Sequence, residues 1–239
     1  MLSKISASGI GDLLSGGKTA ESYLLKKAME CLGIKDDLHT RPMEHGLLNQ
    51  FEAYELVVAK LDNAVWHDKY TPINDYCGAS ADCVGDVFVF DVKCPYYVDT
   101  YLEQRAKLPK KYMLQSQMQM LAEGKERGAI VLYLTNSEID LYGNKMEYPY
   151  PLEDRYYIHE LSRDEQITSD ILITAESGYK KMLEWVEILT AAPEKESGEF
   201  FYDQIIGTSV YRKLKTASSI ENTIKKAFKQ NNEYYYEIR

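Results

Sequence analysis

The segment from Gly78 to Pro95 constrains the fold of this chain more than any other part of it. Its second half alternates along the chain in the way that is typical of a β-strand. Alternation would place four side chains on one face of this strand: Val87, Val89, Asp91 and Lys93. The opposite face would carry only apolar side chains: Phe88, Phe90 and Val92. Two charges on an otherwise apolar strand break the usual pattern, and such breaks tend to mark function.

A turn at Gly85-Asp86 would fold the preceding residues back beside this strand as a hairpin. The carboxylate of Asp82 would then lie towards Asp91, with Lys93 nearby. Oxygen ligands from two acids suit a hard cation such as Mg²⁺, which keeps several waters in most protein sites. A neighbouring ammonium group could orient or deprotonate an attacking water. A second interpretation stays open, in which Asp91 and Lys93 only neutralise each other on a solvated face.

The order of these residues resembles a nuclease signature. Ala-Asp is followed, after eight intervening residues, by Asp-x-Lys, which is similar to the PD-(D/E)xK pattern with alanine in place of proline. The longer string begins Gly-Ala-Ser-Ala-Asp and ends Val-Lys-Cys-Pro, and it resembles the phage lambda exonuclease branch of that superfamily, the YqaJ-type viral recombinases. The resemblance implies that Asp82, Asp91 and the backbone carbonyl of Val92 bind the metal. It implies that Lys93 is the catalytic lysine.

The resemblance covers approximately Ile5 to Leu189 and implies an α/β fold. A mixed central β-sheet would be flanked by helices, as in restriction-endonuclease-like nucleases. We therefore expect a nuclease domain over residues 1–192 and a helical appendage over residues 193–239, which could pack on the same domain.

The implied reaction is Mg²⁺-dependent hydrolysis of DNA phosphodiesters, for which Mn²⁺ could substitute. One strand of a linear duplex would be degraded from a 5′ end during phage-type recombination. The implied partners are DNA ends, a single-strand annealing protein and further copies of the chain in a ring-shaped homotrimer.

A helix is expected from Met43 to Leu61, with a buried stripe formed by Leu47, Phe51, Tyr54 and Val58. Its start resembles the family helix that contributes another acid to the metals. That position is Gln50 here, which puts a second metal in doubt because an amide is a weaker ligand for a hard cation than a carboxylate. Gln50 could still hold a metal-bound water. Glu52 is an alternative ligand, although it points roughly 200° around the helix from Gln50 and could instead lie on a solvated face.

Hydroxyl side chains near the amino terminus precede a short helix expected from Gly9 to Leu14. A helix start is a natural phosphate site. The resemblance implies a pocket for the terminal 5′-phosphate of DNA, lined by Ser6, Ser8 and Lys18. Alternatively, one of the two serines only caps the helix.

The helix expected after Pro109 places Tyr112, Gln115 and Gln119 on one face. This run resembles the family's tyrosine-x-x-glutamine helix, which packs across the active site. The resemblance implies a catalytic role for Gln115, with Tyr112 and Gln119 helping to place the scissile strand. Without the resemblance, the glutamines would be surface residues beside a core stripe of Met113, Leu114, Met118 and Leu121.

The net charge of −9 argues against a protein that coats nucleic acid by bulk electrostatics. Lysine clusters at Lys26-Lys27, Lys107–Lys111 and Lys225-Lys226 could still line a local channel, although such runs are commonly solvated helix faces. The four cysteines lack C-x-x-C spacing, so we expect no zinc or iron–sulfur site. The sequence shows no apolar run of membrane-spanning length and no secretion signal, which favours a cytoplasmic protein without membrane contact.

Two rival functions stay open at the level of sequence. One is a RecB-like nuclease of other polarity or with endonuclease activity. The other is a catalytically weakened protein that binds DNA ends, and Gln50 favours it. Further elements are expected at the carboxyl side: a capping box at Ser162-x-x-Glu165, a helix interrupted near Gly178, and a short helix around Ile220–Phe228.

Overall fold

The computed structural model describes residues 3–33, 40–67, 69–135, 137–139, 145–147 and 150–191. The chain divides into two compact units. The larger unit comprises Lys4–Leu14 and Asp37–Tyr179, and the smaller comprises Met1–Ser3, Ser15–Asp36 and Lys180–Arg239. The appendage expected over residues 193–239, with its helix around Ile220, lies outside the described residues, so the predicted domain boundary stays a prediction.

The described residues form helices and strands in a mixed order along the chain. The helices are α1 Ala7–Leu14, α2 Gly17–Cys31, α3 Arg41–Leu56, α4 Val98–Ala106, α5 Lys110–Glu123 and α6 Glu165–Ala191. The strands are β1 Ile5–Ser6, β2 Val65–Trp66, β3 Tyr70–Pro72, β4 Cys77–Ser80, β5 Cys83–Val84, β6 Phe88–Lys93, β7 Arg127–Tyr133, β8 Ser137–Ile139, β9 Lys145–Glu147 and β10 Tyr156–Ser162. Within these ranges, no helix is both long enough and apolar enough to cross a membrane.

A five-stranded sheet in the order β10-β7-β6-β5-β2 forms the centre of the larger unit. Its strands β6 and β7 are parallel, and the other neighbours are antiparallel. A smaller sheet has the order β1-β4-β3, and β8 pairs with β9 as a hairpin. The fold is therefore α/β with a mixed sheet and flanking helices, which confirms the predicted fold class.

Strands β6 and β7 are covered on both faces. On one face, side chains of the two strands pack with residues of α3: Phe90, Val92, Val131 and Tyr133 with Ala53. On the other face, β7 packs with α4 and α5 through Ile130, Leu132, Tyr101 and Tyr112. The predicted alternation along β6 is confirmed, since Phe90 and Val92 face α3. Asp91 and Lys93 therefore project towards α5.

The hairpin between β5 and β6 forms as predicted. Gly85 N–H donates to the Phe88 carbonyl at 2.9 Å and closes the turn. The carboxylate of Asp62 accepts from the backbone amides of Val87 at 2.8 Å and Phe88 at 2.6 Å. A Cβ at Gly85 would collide with this carboxylate, so close approach requires a glycine there. The turn fixes the register that aligns Asp82 with β6.

The helix α3 differs from its prediction in length and in its buried face. It ends at Leu56, and a single 3-10 turn follows at Val58–Lys60. Leu47 is 64% exposed and Phe51 is 50% exposed, so the prediction that they belong to a buried stripe is wrong. The fully buried residue on α3 is Ala53. Because alanine lets the helix approach the sheet closely, the buried face is narrow and turned away from Leu47 and Phe51.

The helix α6 also corrects two predictions. It continues through Gly178, where a Cβ would lie 2.7 Å from the Leu13 side chain, so this glycine serves packing and does not interrupt the helix. The expected capping box does not form, because Ser162 is the last residue of β10. Asp164 caps the helix instead, and its carboxylate accepts from the Ile167 amide at 3.0 Å.

Candidate active site

Two carboxylates meet where β5 separates from β6. The antiparallel register, continued by one residue, places Asp82 opposite Asp91, and Asp82 N–H donates to the Phe90 carbonyl at 3.1 Å. Asp91 is 2% exposed. Burial and the charge of Asp91 raise the pKa of Asp82 to about 7, against the opposing effects of the Val92 amide and Lys93. The pair therefore concentrates negative charge in a confined place.

The ammonium group of Lys93 lies 2.6 Å from the Asp91 carboxylate, and its side chain is 19% exposed. It also lies 5.0 Å from the centroid of the Tyr112 ring. Burial opposes the charge of Lys93, but the negative charges of Asp91 and Asp82 outweigh it and raise its pKa overall. The ion pair is thus partly enclosed between the sheet and α5, and it does not lie on a solvated face. Lys93 carries its positive charge at neutral pH.

Two glutamines of α5 hold the other oxygen of Asp91. Gln115 donates to it at 2.7 Å and Gln119 at 2.8 Å. Gln119 is fully buried and also reaches the Ser80 carbonyl at 3.0 Å. The interpretation of these glutamines as surface residues is therefore wrong for Gln119, because a buried carboxylate needs donors and α5 supplies them. With Lys93, these donors fix the orientation of Asp91.

On the β5 side of β6, the backbone N–H and carbonyl of Val92 lie beyond the end of β5 and do not pair with that strand. Its N–H donates to the Asp82 carboxylate at 2.6 Å, and its carbonyl accepts from the Gln50 amide at 3.2 Å. Two side chains thus take the places of a neighbouring strand, because β5 is only two residues long. Gln50 is thereby placed beside the paired acids, and its role towards a metal stays a prediction.

Glu52 belongs to a buried network that sequence reasoning missed. Its carboxylate accepts a hydrogen bond from the Tyr133 hydroxyl. The Tyr133 hydroxyl accepts from the Arg155 guanidinium at 3.1 Å, and the same nitrogen reaches the Leu134 carbonyl at 3.3 Å. Burial and the bond to Glu52 raise the pKa of Tyr133 to about 12. Glu52 therefore faces the sheet and not a solvated helix face, and it ties α3 to β7.

Tyr133→Phe should lower the free energy of unfolding by about 1–3 kcal/mol, because it leaves Glu52 and Arg155 without the hydroxyl that joins them. Urea unfolding followed by circular dichroism measures the change. Tyr157→Phe is the matched control, since Tyr157 is exposed on β10. An unchanged unfolding midpoint for Tyr133→Phe would show that the network does not stabilise the fold.

The two predicted phosphate-binding serines lie next to each other. Ser6 pairs with Gly78, the first residue of the string that leads to Asp82. The Ser6 and Ser8 hydroxyl oxygens lie 3.2 Å apart. Lys18 is exposed on α2, in the smaller unit. The roles of these three residues stay predictions.

The oxygen donors at Asp82 and Asp91 fit a hard divalent cation. The raised pKa of Asp82 reflects, after burial, repulsion from Asp91, and a cation would relieve that repulsion. The described part of the chain contains no cluster of three or more His, Cys, Asp or Glu side chains that could hold a metal. Magnesium is commonly held by one or two carboxylates, several waters and substrate phosphate oxygens, so this small donor set suits it.

Comparison with solved structures identifies the fold. LHK-Exo, an alkaline exonuclease from Laribacter hongkongensis, is 20% identical in its complex with dAMP, with a TM-score of 0.65 over 80% of this chain and 93% of that chain. A phage-related exonuclease from Haemophilus somnus 129PT is 16% identical, with a TM-score of 0.67 over 79% and 96%. The chain has the fold of phage-type exonucleases. No family model matches the sequence, and no curated protein matches it significantly.

The exonuclease fold agrees with the resemblance drawn from the sequence. At 20% identity and below, the likeness establishes the fold and not the reaction. In this phage-type exonuclease fold, Lys93 and the two glutamines lie within hydrogen-bonding distance of Asp91, and Asp82 accepts from the amide of the next residue, Val92.

Proposed function

We propose that the protein is a Mg²⁺-dependent exonuclease that hydrolyses one strand of linear duplex DNA from a 5′ end. The observation that carries the proposal is the enclosed cluster of Asp82, Asp91 and Lys93 at the end of two paired strands. Its placement in an exonuclease fold supports a nuclease, and the resemblance supports the polarity and a role in phage-type recombination.

The acids and the backbone of β6 would hold the cation. Asp82, Asp91 and the carbonyl of Val92 supply oxygen donors, and Mn²⁺ could take the place of Mg²⁺. When bound, the ion stabilises negative charge on the phosphate and lowers the pKa of a bound water. Gln50 reaches the same carbonyl and could hold one of the ion's waters.

The remaining residues orient the reacting groups. Lys93 is charged, so it can donate hydrogen bonds to the attacking water or the phosphate but cannot take up a proton. Gln115 and Gln119 hold Asp91 in one orientation. Tyr112 packs against Lys93 and would keep the ammonium group near the scissile phosphate.

Incubation with linear duplex, circular duplex and single-stranded DNA, each with Mg²⁺ or EDTA, tests the proposal. Labels on the 5′ and 3′ ends of the linear substrate report the polarity. We expect Mg²⁺-dependent loss of the 5′ label from the linear duplex and intact circles. Cutting of circles would favour an endonuclease instead, and early loss of the 3′ label would reverse the polarity.

A second candidate function is the binding of DNA ends without efficient cleavage. The amide of Gln50, at a position where the resemblance implies an acid, is the observation that favours it. A protein with this second function would retard linear DNA in a gel-shift assay. It would release no nucleotides in the incubation with Mg²⁺.

Gln50→Glu should lower the Mg²⁺ concentration that gives half-maximal cleavage. The decrease should be roughly 10-fold for each 1.4 kcal/mol that the new carboxylate adds to the free energy of Mg²⁺ binding. A carboxylate beside Val92 would add a charged ligand. A Mg²⁺ titration of the initial cleavage rate measures the shift. Glu52→Gln is the control, which should reduce stability through Tyr133 and leave the Mg²⁺ requirement unchanged. The opposite pattern would make Glu52 the ligand.

The assembly and the partner follow from the resemblance. We propose a ring-shaped homotrimer, because an acidic chain could gain processivity by enclosing DNA. A single-strand annealing protein would load on the strand that remains, and Ser6, Ser8 and Lys18 would bind the 5′-phosphate. Light scattering with and without DNA tests the trimer.

A further inference from the structure

Three aromatic rings lie in contact, two from the segment after β6 and one from α3. His45 and Tyr96 pack edge to face with ring centroids 5.1 Å apart, and Tyr96 and Tyr97 do so at 4.7 Å. His45 lies on α3, and Tyr97 is the residue before α4. Tyr97 is 56% exposed, whereas Tyr96 and His45 are partly buried behind it. We call these three residues the aromatic ledge.

Two chain paths place the aromatic ledge at the candidate active site. Tyr96 follows Lys93 by three residues, so their Cα atoms lie within about 10 Å. Cys94 and Pro95, which join them, are buried, and this connection is therefore held in place. On the other path, His45 precedes Gln50 on α3 by five residues, which is about 7.5 Å of helix rise. Gln50 contacts the Val92 carbonyl, as described above.

Positive charge lies on the α5 side of the same site. The ammonium groups of Lys93 and Lys111 lie 5.0 Å and 5.1 Å from the centroid of the Tyr112 ring. Cations bind backbone phosphates, whereas an exposed aromatic ring offers a face to a base. The site thus presents ammonium groups from β6 and α5 around Tyr112, and aromatic rings beside α3 and α4.

We propose that the aromatic ledge stacks on a base of the strand whose phosphate lies at Asp91 and Lys93. This inference rests on the proposed nuclease function and adds a substrate-binding site to it. Stacking on tyrosine does not depend on base identity, which suits an enzyme that degrades any sequence. It also suits a chain with a net charge of −9, since stacking adds affinity that does not require neutralising phosphates.

The exposure of Tyr97 separates this role from a purely structural one. Contact between Tyr96 and His45 already joins α3 to the segment before α4. Tyr97 adds a large ring that is more than half exposed, and water solvates it poorly. A partner with a flat aromatic face would cover it, and the end of a DNA strand provides such a face beside the scissile phosphate.

Steady-state cleavage of linear duplex DNA by wild type, Tyr97→Ala and Tyr97→Trp tests the proposal. We expect Tyr97→Ala to lower kcat/KM about 10-fold, mainly through KM, and Tyr97→Trp to restore it. Tyr157→Ala is the matched control, because Tyr157 is also exposed but lies on β10, two strands away from β6. An unchanged KM for Tyr97→Ala, or an equal loss for Tyr157→Ala, would overturn the proposal.

Abasic substrates distinguish base stacking from a general effect on the fold. A series of duplexes carries one abasic residue at successive positions from the 5′ end of the cleaved strand. At one position, base removal should lower kcat/KM of the wild type about 10-fold and cause no further loss in Tyr97→Ala. If base removal and Tyr97→Ala lower kcat/KM independently, their effects would multiply at every position. That result would contradict stacking by Tyr97.

Fluorescence of 2-aminopurine at the same positions tests the aromatic ledge independently of cleavage. Quenching by wild type and not by Tyr97→Ala, in the presence of EDTA, would support stacking even if no substrate is cut. Failure of the nuclease proposal would then appear as quenching without cleavage. Equal quenching by both proteins, or no quenching by either, would contradict the aromatic ledge.

Discussion

Replacing Asp91 by asparagine should lower the rate of DNA cleavage about a thousand-fold, which corresponds to about 4 kcal/mol of lost transition-state stabilisation. Asparagine keeps the shape of the side chain and an oxygen that can accept from Gln115 and Gln119. It removes the charge that pairs with Lys93 and that would hold the cation. The fold should therefore survive while the chemistry fails. Single-turnover cleavage of end-labelled duplex measures the loss.

Asp82→Asn should cause a loss of similar size, because an amide oxygen can still accept from the Val92 amide but carries no charge. Asp86→Asn is the matched control within the same hairpin, since Asp86 is exposed and bonds to Asn63. Its rate should stay within about 2-fold of wild type, as is usual for surface substitutions. Rates close to wild type for both Asp91→Asn and Asp82→Asn would remove these acids from the reaction.

Lys93→Met should lower the cleavage rate by at least about a hundred-fold, within the usual range for a positioned side chain that assists proton transfer or charge stabilisation. Methionine fills a similar volume beside Tyr112 but supplies neither charge nor hydrogen-bond donors. It also leaves the buried Asp91 carboxylate with amide donors only. Because Lys93 is 19% exposed, we expect stability to fall by about 3 kcal/mol, the lower end of the range for a broken buried pair. Cleavage assays and urea unfolding measure the two effects separately.

The double variant Asp91→Asn/Lys93→Met separates catalysis from folding. Removing both charges should recover most of the stability that Lys93→Met loses, because no uncompensated carboxylate remains. Activity should stay as low as in Asp91→Asn alone. Lys93→Arg adds a control that keeps the charge in a different shape. Substantial activity in Lys93→Met would show that the lysine serves only the ion pair with Asp91.

The parts of the site that the sequence predicts correctly depend on short-range geometry. Alternation along β6 and the glycine turn at Gly85 place Asp82 opposite Asp91, and both features lie within one hairpin. The spacing of Gln115 and Gln119 places them on one face of α5. The hairpin and α5 pack against each other, so Asp91 on the predicted face of β6 contacts Gln115 and Gln119 on the predicted face of α5.

The parts that the sequence does not predict depend on contacts between distant segments. The exposure of Leu47 and Phe51 is decided by how closely Ala53 lets α3 approach the sheet. The bonds that join Glu52, Tyr133 and Arg155 link three segments with no common spacing. The aromatic ledge has the same character, since two tyrosines after a proline do not reveal a contact with a histidine on α3. Such contacts depend on helix packing, which hydrophobic periodicity constrains only loosely.

The most direct test of the central claim is the Mg²⁺ dependence of nucleotide release from linear duplex DNA, compared between wild type and Asp82→Asn. The claim is that Asp82, Asp91 and Lys93 form a metal-dependent nuclease site. Wild type should release nucleotides at a rate that rises from zero in EDTA to a plateau at millimolar Mg²⁺. Asp82→Asn should stay close to zero across the titration. Release that persists in EDTA, or that is equal in the two proteins at every Mg²⁺ concentration, would contradict the account.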